Sequence, residues 1–137
     1  MTSLLLDTGA LIWIANGDPI SDDARTALDT AYQSNGKVYV SPASAWEIGR
    51  LAARGAIKLS MDAELWFRRV LATPSIHLAP LTPEILIASS GLPGKPPKDT
   101  WDRIILATAI ENKHTLITRT GKLIRCAQSA GIAVLAC

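Results

Sequence analysis

Four acidic residues fall beside the ends of predicted strands or the starts of predicted helices: Asp7, Glu47, Asp99 and Asp102. Carboxylates that are forced together repel one another, and some take up protons unless a cation offsets their charge. Oxygen ligands, in a chain with only two histidines and two cysteines, favour a hard cation such as Mg²⁺ or Mn²⁺. A divalent ion held in this way orients water and stabilises the charge that develops during phosphodiester hydrolysis.

The first of these acids follows a short apolar run. Residues 3–6 contain three consecutive leucines, which are typical of a strand buried on both faces of a parallel sheet. Asp7 comes directly after them, at the carboxyl end where open α/β sheets bind ligands. Thr8 and Gly9 allow a turn, and a hydrogen bond from Thr8 to a ligand or to metal-bound water is an equally good interpretation of that residue. Taken alone, a single Asp here is better interpreted as a helix N-cap. A ligand-binding role for Asp7 therefore depends on whether other acids lie near it.

Glu47 follows a second strand at the same predicted edge. Residues 38–40 predict that strand, and Ser41 predicts the cap of a helix that begins with Pro42, whose missing N–H costs nothing there. Glu47 then falls in the second turn of the helix, where a solvated helix residue is the alternative interpretation. The carboxyl ends of parallel strands share one edge, so we expect Glu47 to lie near Asp7.

Asp99 and Asp102 bracket the start of a later helix. Before them, residues 91–98 contain three prolines and two glycines, which exclude regular structure and predict a loop. Binding residues concentrate in such loops. Asp99 alone is also a good N-cap for the helix that Asp102 enters.

Helical and strand-like patterns alternate along the whole chain, which is typical of an α/β fold with a mainly parallel sheet. The predicted strands are 3–6, 38–40, 76–81, 115–118 and 132–135, with a short extended piece at 57–59. The predicted helices are 10–15, 22–33, 42–54, 62–72, 83–90, 99–112 and 122–130. No repeat or interdomain linker interrupts the pattern, so we expect a single domain over residues 1–137.

The composition excludes several classes of protein. The chain is 48% hydrophobic, enough for a core, and its net charge of +2 is compatible with a phosphate-bearing partner. Cys126 and Cys137 do not make a disulfide framework and favour a reduced, cytoplasmic setting. No apolar run approaches the roughly 20 residues that cross a bilayer, and residues 4–6 are too few for a signal peptide core.

Four segments, in order, resemble the PIN domains of VapC-type toxins. They are residues 5–13, 40–48, 99–107 and 116–119, which read LLDTGALIW, VSPASAWEI, DTWDRIILA and LITR. The resemblance covers almost the whole chain. It implies a three-layer α/β/α sandwich with a parallel sheet, Mg²⁺-dependent endoribonuclease activity, a homodimer, and neutralisation by a cognate VapB-like antitoxin.

The resemblance also assigns roles to the acids. Asp7 matches the first acid of the family, Glu47 the second, and Asp102 the acid that opens the late helix. Asp99 matches an extra acid in a subgroup with an Asp-Pro-x-Asp-Arg pattern, although Thr100 stands where that Pro usually lies. The four are therefore predicted to hold the Mg²⁺, or Mn²⁺, of a ribonuclease.

Two positions depart from the family pattern. Gly9 lies where many members have His, and Thr120 lies where many carry a fourth Asp. A hydroxyl is a poorer metal ligand and adds no negative charge. An alternative function follows: a PIN-like interaction protein with a weakened metal site that acts by binding its antitoxin or RNA. A small phosphatase is a third class, but the chain has neither a second Asp two residues after Asp7 nor a Gly-rich phosphate loop.

Several further residues have less specific signals. Arg103 can pair with one of the acids or contact phosphate, and the pairing with an acid is preferred because the charge is needed locally. Lys95, Lys98 and Arg119 can attract RNA phosphate or simply be solvated. The two histidines have no partner at ligand spacing, so no chemistry is assigned to them. The chain has four tryptophans, Trp13, Trp46, Trp66 and Trp101. Tryptophans are more often core or interface anchors than base-stacking platforms. Trp101 is the candidate for a different role, because it lies between two of the acids.

Overall fold

The computed structural model describes residues 3–137. In chain order its elements are β1 (Leu4–Leu6), α1 (Thr8–Ala15), α2 (Asp22–Gln33), β2 (Val38–Val40), α3 (Pro42–Ala53), α4 (Ala63–Ala72), β3 (Ile76–Leu78), α5 (Pro83–Ala88), α6 (Thr100–Asn112), β4 (Thr115–Thr118), α7 (Gly121–Ser129) and β5 (Val134–Ala136).

The five strands form one parallel sheet in the order β3-β2-β1-β4-β5, which confirms the predicted α/β class. The central strand β1 pairs with both neighbours, and its Leu5 lies opposite Tyr39 on β2 and Leu116 on β4. After β1 the chain adds β2 and β3 toward one lateral edge of the sheet, and after β4 it adds β5 toward the opposite edge. The carboxyl ends of β1 and β4 therefore form a topological switch point, where such sheets bind ligands.

Alternating side chains of the sheet contact two different layers of helices. Leu4 and Leu6 belong to a core cluster with buried residues of α1, α2, α3 and α4. Leu5 points the other way and packs in a second cluster with residues of α6 and α7. The predicted three-layer α/β/α sandwich is therefore confirmed. Among residues 3–137, none of the helices combines the length and the apolar character needed to cross a membrane.

Three of the seven predicted helices begin at the predicted residue, directly after their predicted caps. The hydroxyls of Ser21, Ser41 and Thr82 each accept a backbone N–H at the start of α2, α3 and α5.

Residues 57–59, predicted as a short extended piece, do not pair with the sheet. Ile57 and Leu59 pack against the first core cluster instead.

The turn predicted at Thr8 and Gly9 is wrong, because α1 begins immediately after β1. Asp7 has extended backbone angles and its side chain accepts the Ala10 N–H, so Thr8 is already the first residue of the helix. A direct strand-to-helix junction of this kind fixes the position of Asp7 more tightly than a turn would.

Candidate active site

Asp7 lies at the switch point of the sheet, directly after β1 and beside the end of β4. Its side chain is 5% exposed. Its Oδ1 accepts the Ala10 N–H at 2.7 Å, and its Oδ2 accepts the hydroxyl proton of Thr118, the last residue of β4. Burial raises the pKa of Asp7, and these two hydrogen bonds lower it in part. The carboxylate is thus fixed in orientation while its charge is only partly compensated.

Glu47 is held against α1 by a hydroxyl. Thr8 Oγ1 donates to Glu47 Oε1 at 2.6 Å, and the buried Ser44 hydroxyl lies 2.9 Å from the same Thr8 oxygen. Because an ionised Glu47 takes the single Thr8 proton, Ser44 donates in turn to Thr8. Burial is the largest cause that raises the pKa of Glu47, and the nearby Asp99 and Asp7 raise it further.

Asp99 and Asp102 occupy the start of α6. Asp99 is exposed and is the N-cap, since its Oδ1 accepts the N–H groups of Trp101 at 2.9 Å and of Asp102 at 3.1 Å. Asp102 follows in the first turn and is part-exposed. Burial, followed by the charges of Asp99, Glu47 and Asp7, raises the pKa of Asp102 to about 6.

The structure therefore brings the four predicted site residues within electrostatic reach of one another at one edge of the sheet. Within residues 3–137, no three acidic, histidine or cysteine side chains are grouped closely enough to hold a metal ion as they stand. The chemistry of the donors nevertheless fits a hard divalent cation, because all are carboxylates whose mutual repulsion such a cation would relieve.

Two cations that the sequence did not point to also reach these acids. Lys122, in the first turn of α7, lowers the pKa of Asp102, and Arg50 on α3 lowers that of Glu47. Thr118 was also not singled out, although it ends a strand inside a segment that resembles the family. A strand-end position beside β1 was the signal that could have identified it.

Cys137 lies near Asp7 as well. Burial and the charge of Asp7 raise the pKa of its thiol, which is therefore protonated at neutral pH and a poor metal ligand. Arg119 donates to the backbone oxygen of Cys137 at 3.0 Å, and its guanidinium lies 3.7 Å from the ring centroid of Trp13. Arg119 is thus engaged at the edge of the site and is not a freely solvated side chain.

The predicted pairing of Arg103 with an acid is wrong. Its guanidinium donates instead to three backbone carbonyls, those of Ser89 at 3.0 Å, Pro97 at 2.8 Å and Ser90 at 3.4 Å. The carbonyls of Ser89 and Ser90 follow the last turn of α5, where they have no helical partner, and that of Pro97 lies in the loop. Arg103 therefore fixes the loop that precedes Asp99.

The two departures from the family pattern have simple structural settings. Thr120 precedes α7 and makes no side-chain cap, while its backbone N–H donates to Thr118 Oγ1 at 3.1 Å. It thus supports the hydroxyl that holds Asp7. At Gly9, an added Cβ would lie 3.8 Å from Asp7 Oδ1, which is an ordinary contact.

The tryptophans divide into two groups. Trp66 is 6% exposed in the first core cluster, as predicted for a core anchor. Of the two predicted roles, core anchor and interface anchor, the core role is wrong for Trp46, because 47% of its surface is exposed. Its ring packs in a tilted arrangement against that of Trp101, with centroids 4.4 Å apart.

A parallel sheet with acidic residues gathered at its switch point defines the class of this protein, a three-layer α/β protein with a carboxylate site. The PIN domain family matches residues 4–128 of the chain. Ribonuclease VapC22 of Mycobacterium tuberculosis is 30% identical over 124 residues, which span 90% of this chain and 91% of that relative.

Solved structures with the same fold include VapBC2 from Rickettsia felis bound to a DNA fragment from their promoter. That match has a TM-score of 0.68 and 15% identity, and covers 98% of both chains. VapBC-1 from nontypeable Haemophilus influenzae matches with a TM-score of 0.66 and 17% identity, again over 98% of both chains. The chain belongs to the PIN-domain family, and its resemblance to VapC-type toxins is confirmed.

Proposed function

We propose that the chain is a Mg²⁺-dependent endoribonuclease toxin, with Mn²⁺ as the alternative ion, and that Asp7, Glu47 and Asp102, helped by Asp99, form its metal site. The observation that carries this proposal is that the carboxylates of Asp7 and Asp99 lie close enough to Glu47 and Asp102 to raise the pKa values of these two residues. Burial and neighbouring carboxylates raise the pKa values of Glu47 and Asp102 together, and the charges of Arg50 and Lys122 offset this only in part. When bound, a divalent ion supplies further positive charge and activates water for attack on the phosphodiester.

The chain's own residues hold the acids in place for this chemistry. Thr118 and the Ala10 N–H fix both oxygens of Asp7, and Thr8 fixes one oxygen of Glu47. Hydrogen bonds of this kind orient metal-binding carboxylates, and their loss commonly lowers affinity or activity about 10- to 100-fold. Thr8, Ser44 and Thr118 are almost fully buried, so these supports are shielded from water.

A basic cleft beside the acids supports a nucleic-acid substrate. Between the 91–98 loop and α7 lies a cleft of about 450 Å³ with three cations on its wall, Lys95, Lys122 and Arg125. Lys122 is close enough to Asp102 to lower its pKa, so the cleft adjoins the acids. Three cationic residues that line one cleft beside the site suit the phosphate backbone of a nucleic acid. We choose RNA because the relative in Mycobacterium tuberculosis is a ribonuclease.

We further propose a VapB-like antitoxin as partner, because the matched structures are VapBC complexes. A segment of the antitoxin would fill the groove near the acids. A second copy of the chain is the other proposed partner, supported by the exposed Leu86 and Ile87 on α5, of which Ile87 is 75% exposed. We also propose a single domain over residues 1–137. Its place in the cytoplasm is proposed because reduced thiols such as those of Cys126 and Cys137 persist there.

The central test replaces single acids by their amides. Asp7→Asn and Asp102→Asn should abolish Mg²⁺-dependent cleavage of single-stranded RNA while far-ultraviolet circular dichroism stays unchanged. Asp29→Asn, an exposed acid in the middle of α2, is the matched control and should cleave like the wild type. Cleavage by Asp7→Asn at the wild-type rate would remove the basis of the proposal.

The alternative function is an interaction protein with a weakened metal site, and Thr120 in place of a fourth acid favours it. Calorimetric titration with Mg²⁺ or Mn²⁺ separates the two candidates. A ribonuclease should bind the ion and cleave RNA in its presence. Tight binding of antitoxin or RNA with no cleavage of varied substrates would support the interaction protein instead.

A further inference from the structure

Two indole rings form an aromatic surface at the rim of the acid cluster. Trp46 lies on α3 and Trp101 on α6, and their ring centroids are 4.4 Å apart with the planes inclined at 34°. Each tryptophan directly precedes a site acid in the chain, Trp46 before Glu47 and Trp101 before Asp102. The pair therefore bridges the two helices that carry these acids.

Core packing does not account for this surface. Trp46 is 47% exposed, whereas its neighbours Ser44 and Ile48 on the same helix are buried. Large aromatic rings bury more apolar area than any other side chains, and leaving one half in water forgoes that stabilisation. An exposed indole, paired with a second ring beside a catalytic site, is thus better suited to binding a ligand with a flat face.

A positive charge stands on the same surface. The Arg50 guanidinium lies 4.6 Å from the centroid of the Trp46 ring, and it is close enough to Glu47 to lower its pKa. Aromatic rings that stack on bases, combined with cations that contact phosphates, are how proteins bind single-stranded nucleic acid. Because an exposed cation–π contact is weak, a base can displace the guanidinium from the ring.

We infer that Trp46 and Trp101 form a stacking platform for one unpaired base of the RNA substrate, with Arg50 beside the adjoining phosphate. The inference rests on the proposed function, since it names how that substrate is positioned. An aromatic side chain of a protein partner could use the same rings. A base is favoured because it is attached to an RNA backbone, whose phosphates suit both Arg50 and the basic cleft lined by Lys122.

The test compares two single-stranded probes about 12 nucleotides long, an oligoadenylate and a base-free ribose phosphate polymer of the same length and charge. Binding is measured in EDTA, by fluorescence anisotropy, so that no cleavage is needed. Trp46→Leu should weaken oligoadenylate binding about tenfold and leave the base-free polymer unaffected. Trp46→Phe, which keeps an aromatic face, should recover most of the affinity. Tyr32→Leu, which removes another exposed aromatic ring on α2, is the matched control and should bind like the wild type.

The outcomes separate this inference from the function on which it rests. Equal loss of affinity for both probes, or none for either, overturns the platform even if Mg²⁺-dependent cleavage by the wild type stands. If the wild type cleaves no RNA but Trp46→Leu loses affinity only for the probe with bases, the platform holds and the nuclease assignment fails. Weakened antitoxin binding by Trp46→Leu with unchanged RNA binding assigns the surface to the antitoxin and overturns the inference.

Discussion

Replacing Asp102 by Asn should stabilise the metal-free protein while it removes the proposed activity. Burial and the charges of Asp99, Glu47 and Asp7 raise the pKa of Asp102 from 3.8 to about 6. The folded protein thus keeps a proton on this carboxyl at pH values where the unfolded chain has released it. Wild-type stability must therefore fall as the pH rises from about 4 to about 6, and it stays lower above that window. Asn has nearly the same shape and cannot ionise, so it escapes this loss.

The size of the gain follows from the pKa shift. A rise from 3.8 to about 6 would correspond to about 3 kcal/mol if none of it were screened. Asp102 is part-exposed, and solvent screening reduces this to roughly half. The variant also loses a negative charge in the first turn of α6, which costs about 0.5 kcal/mol through the helix dipole. We therefore expect a net gain of about 1 kcal/mol at neutral pH, or about 3 °C in Tm.

Urea unfolding in EDTA, at about pH 4 and about pH 7.5, measures the effect. The variant should exceed the wild type at the higher pH and nearly match it at the lower. Asp29→Asn should change stability at neither pH. Adding Mg²⁺ should stabilise the wild type more than Asp102→Asn, since only the wild type keeps the full set of acids. A variant that is less stable than the wild type at neutral pH, or equally changed at both pH values, would refute the electrostatic reasoning.

Two further substitutions test the supports of the site. Thr118→Val removes the hydroxyl that donates to the buried Asp7, so it should lower the free energy of unfolding near neutral pH by about 1–3 kcal/mol. Thr118→Ser keeps the donor and should recover most of this stability in the same urea titration. Arg103→Lys cannot reproduce the guanidinium fork that holds three loop carbonyls, so it should cost about 1–2 kcal/mol and speed proteolysis of the 91–98 loop. Arg68→Lys is the control, because Arg68 forms an exposed ion pair with Glu64 and its replacement should change stability by less than about 0.5 kcal/mol. An equal loss of stability in both Arg variants would contradict the role of Arg103.

Much of the fold could be predicted because its signals are local. The strand Val38–Val40 and the helix Asp22–Gln33 have their predicted bounds, since caps, glycines and prolines mark such ends within a few residues. The features that could not be predicted depend on contacts between distant segments. Asp7 and Thr118 are 111 residues apart, and no local pattern joins them. Likewise, the partners of Arg103 are backbone carbonyls, which every residue carries and no sequence pattern distinguishes.

The role of Asp7 and Asp99 shows why local signals alone could not define the site. The sequence offered helix capping and metal binding as alternatives for both residues, yet the structure makes them compatible. Each residue caps its helix through Oδ1 alone. Each carboxylate oxygen has two lone pairs, so Asp7 can still bind a metal ion although its other oxygen accepts the Thr118 hydroxyl, and Asp99 can do so as well. The cap also fixes the side chain at the carboxyl edge of the sheet, where Glu47 and Asp102 raise the local negative charge. A cap beside a strand end thus orients a carboxylate that is proposed to bind the metal ion. Several such acids close together distinguish a site from an ordinary helix start.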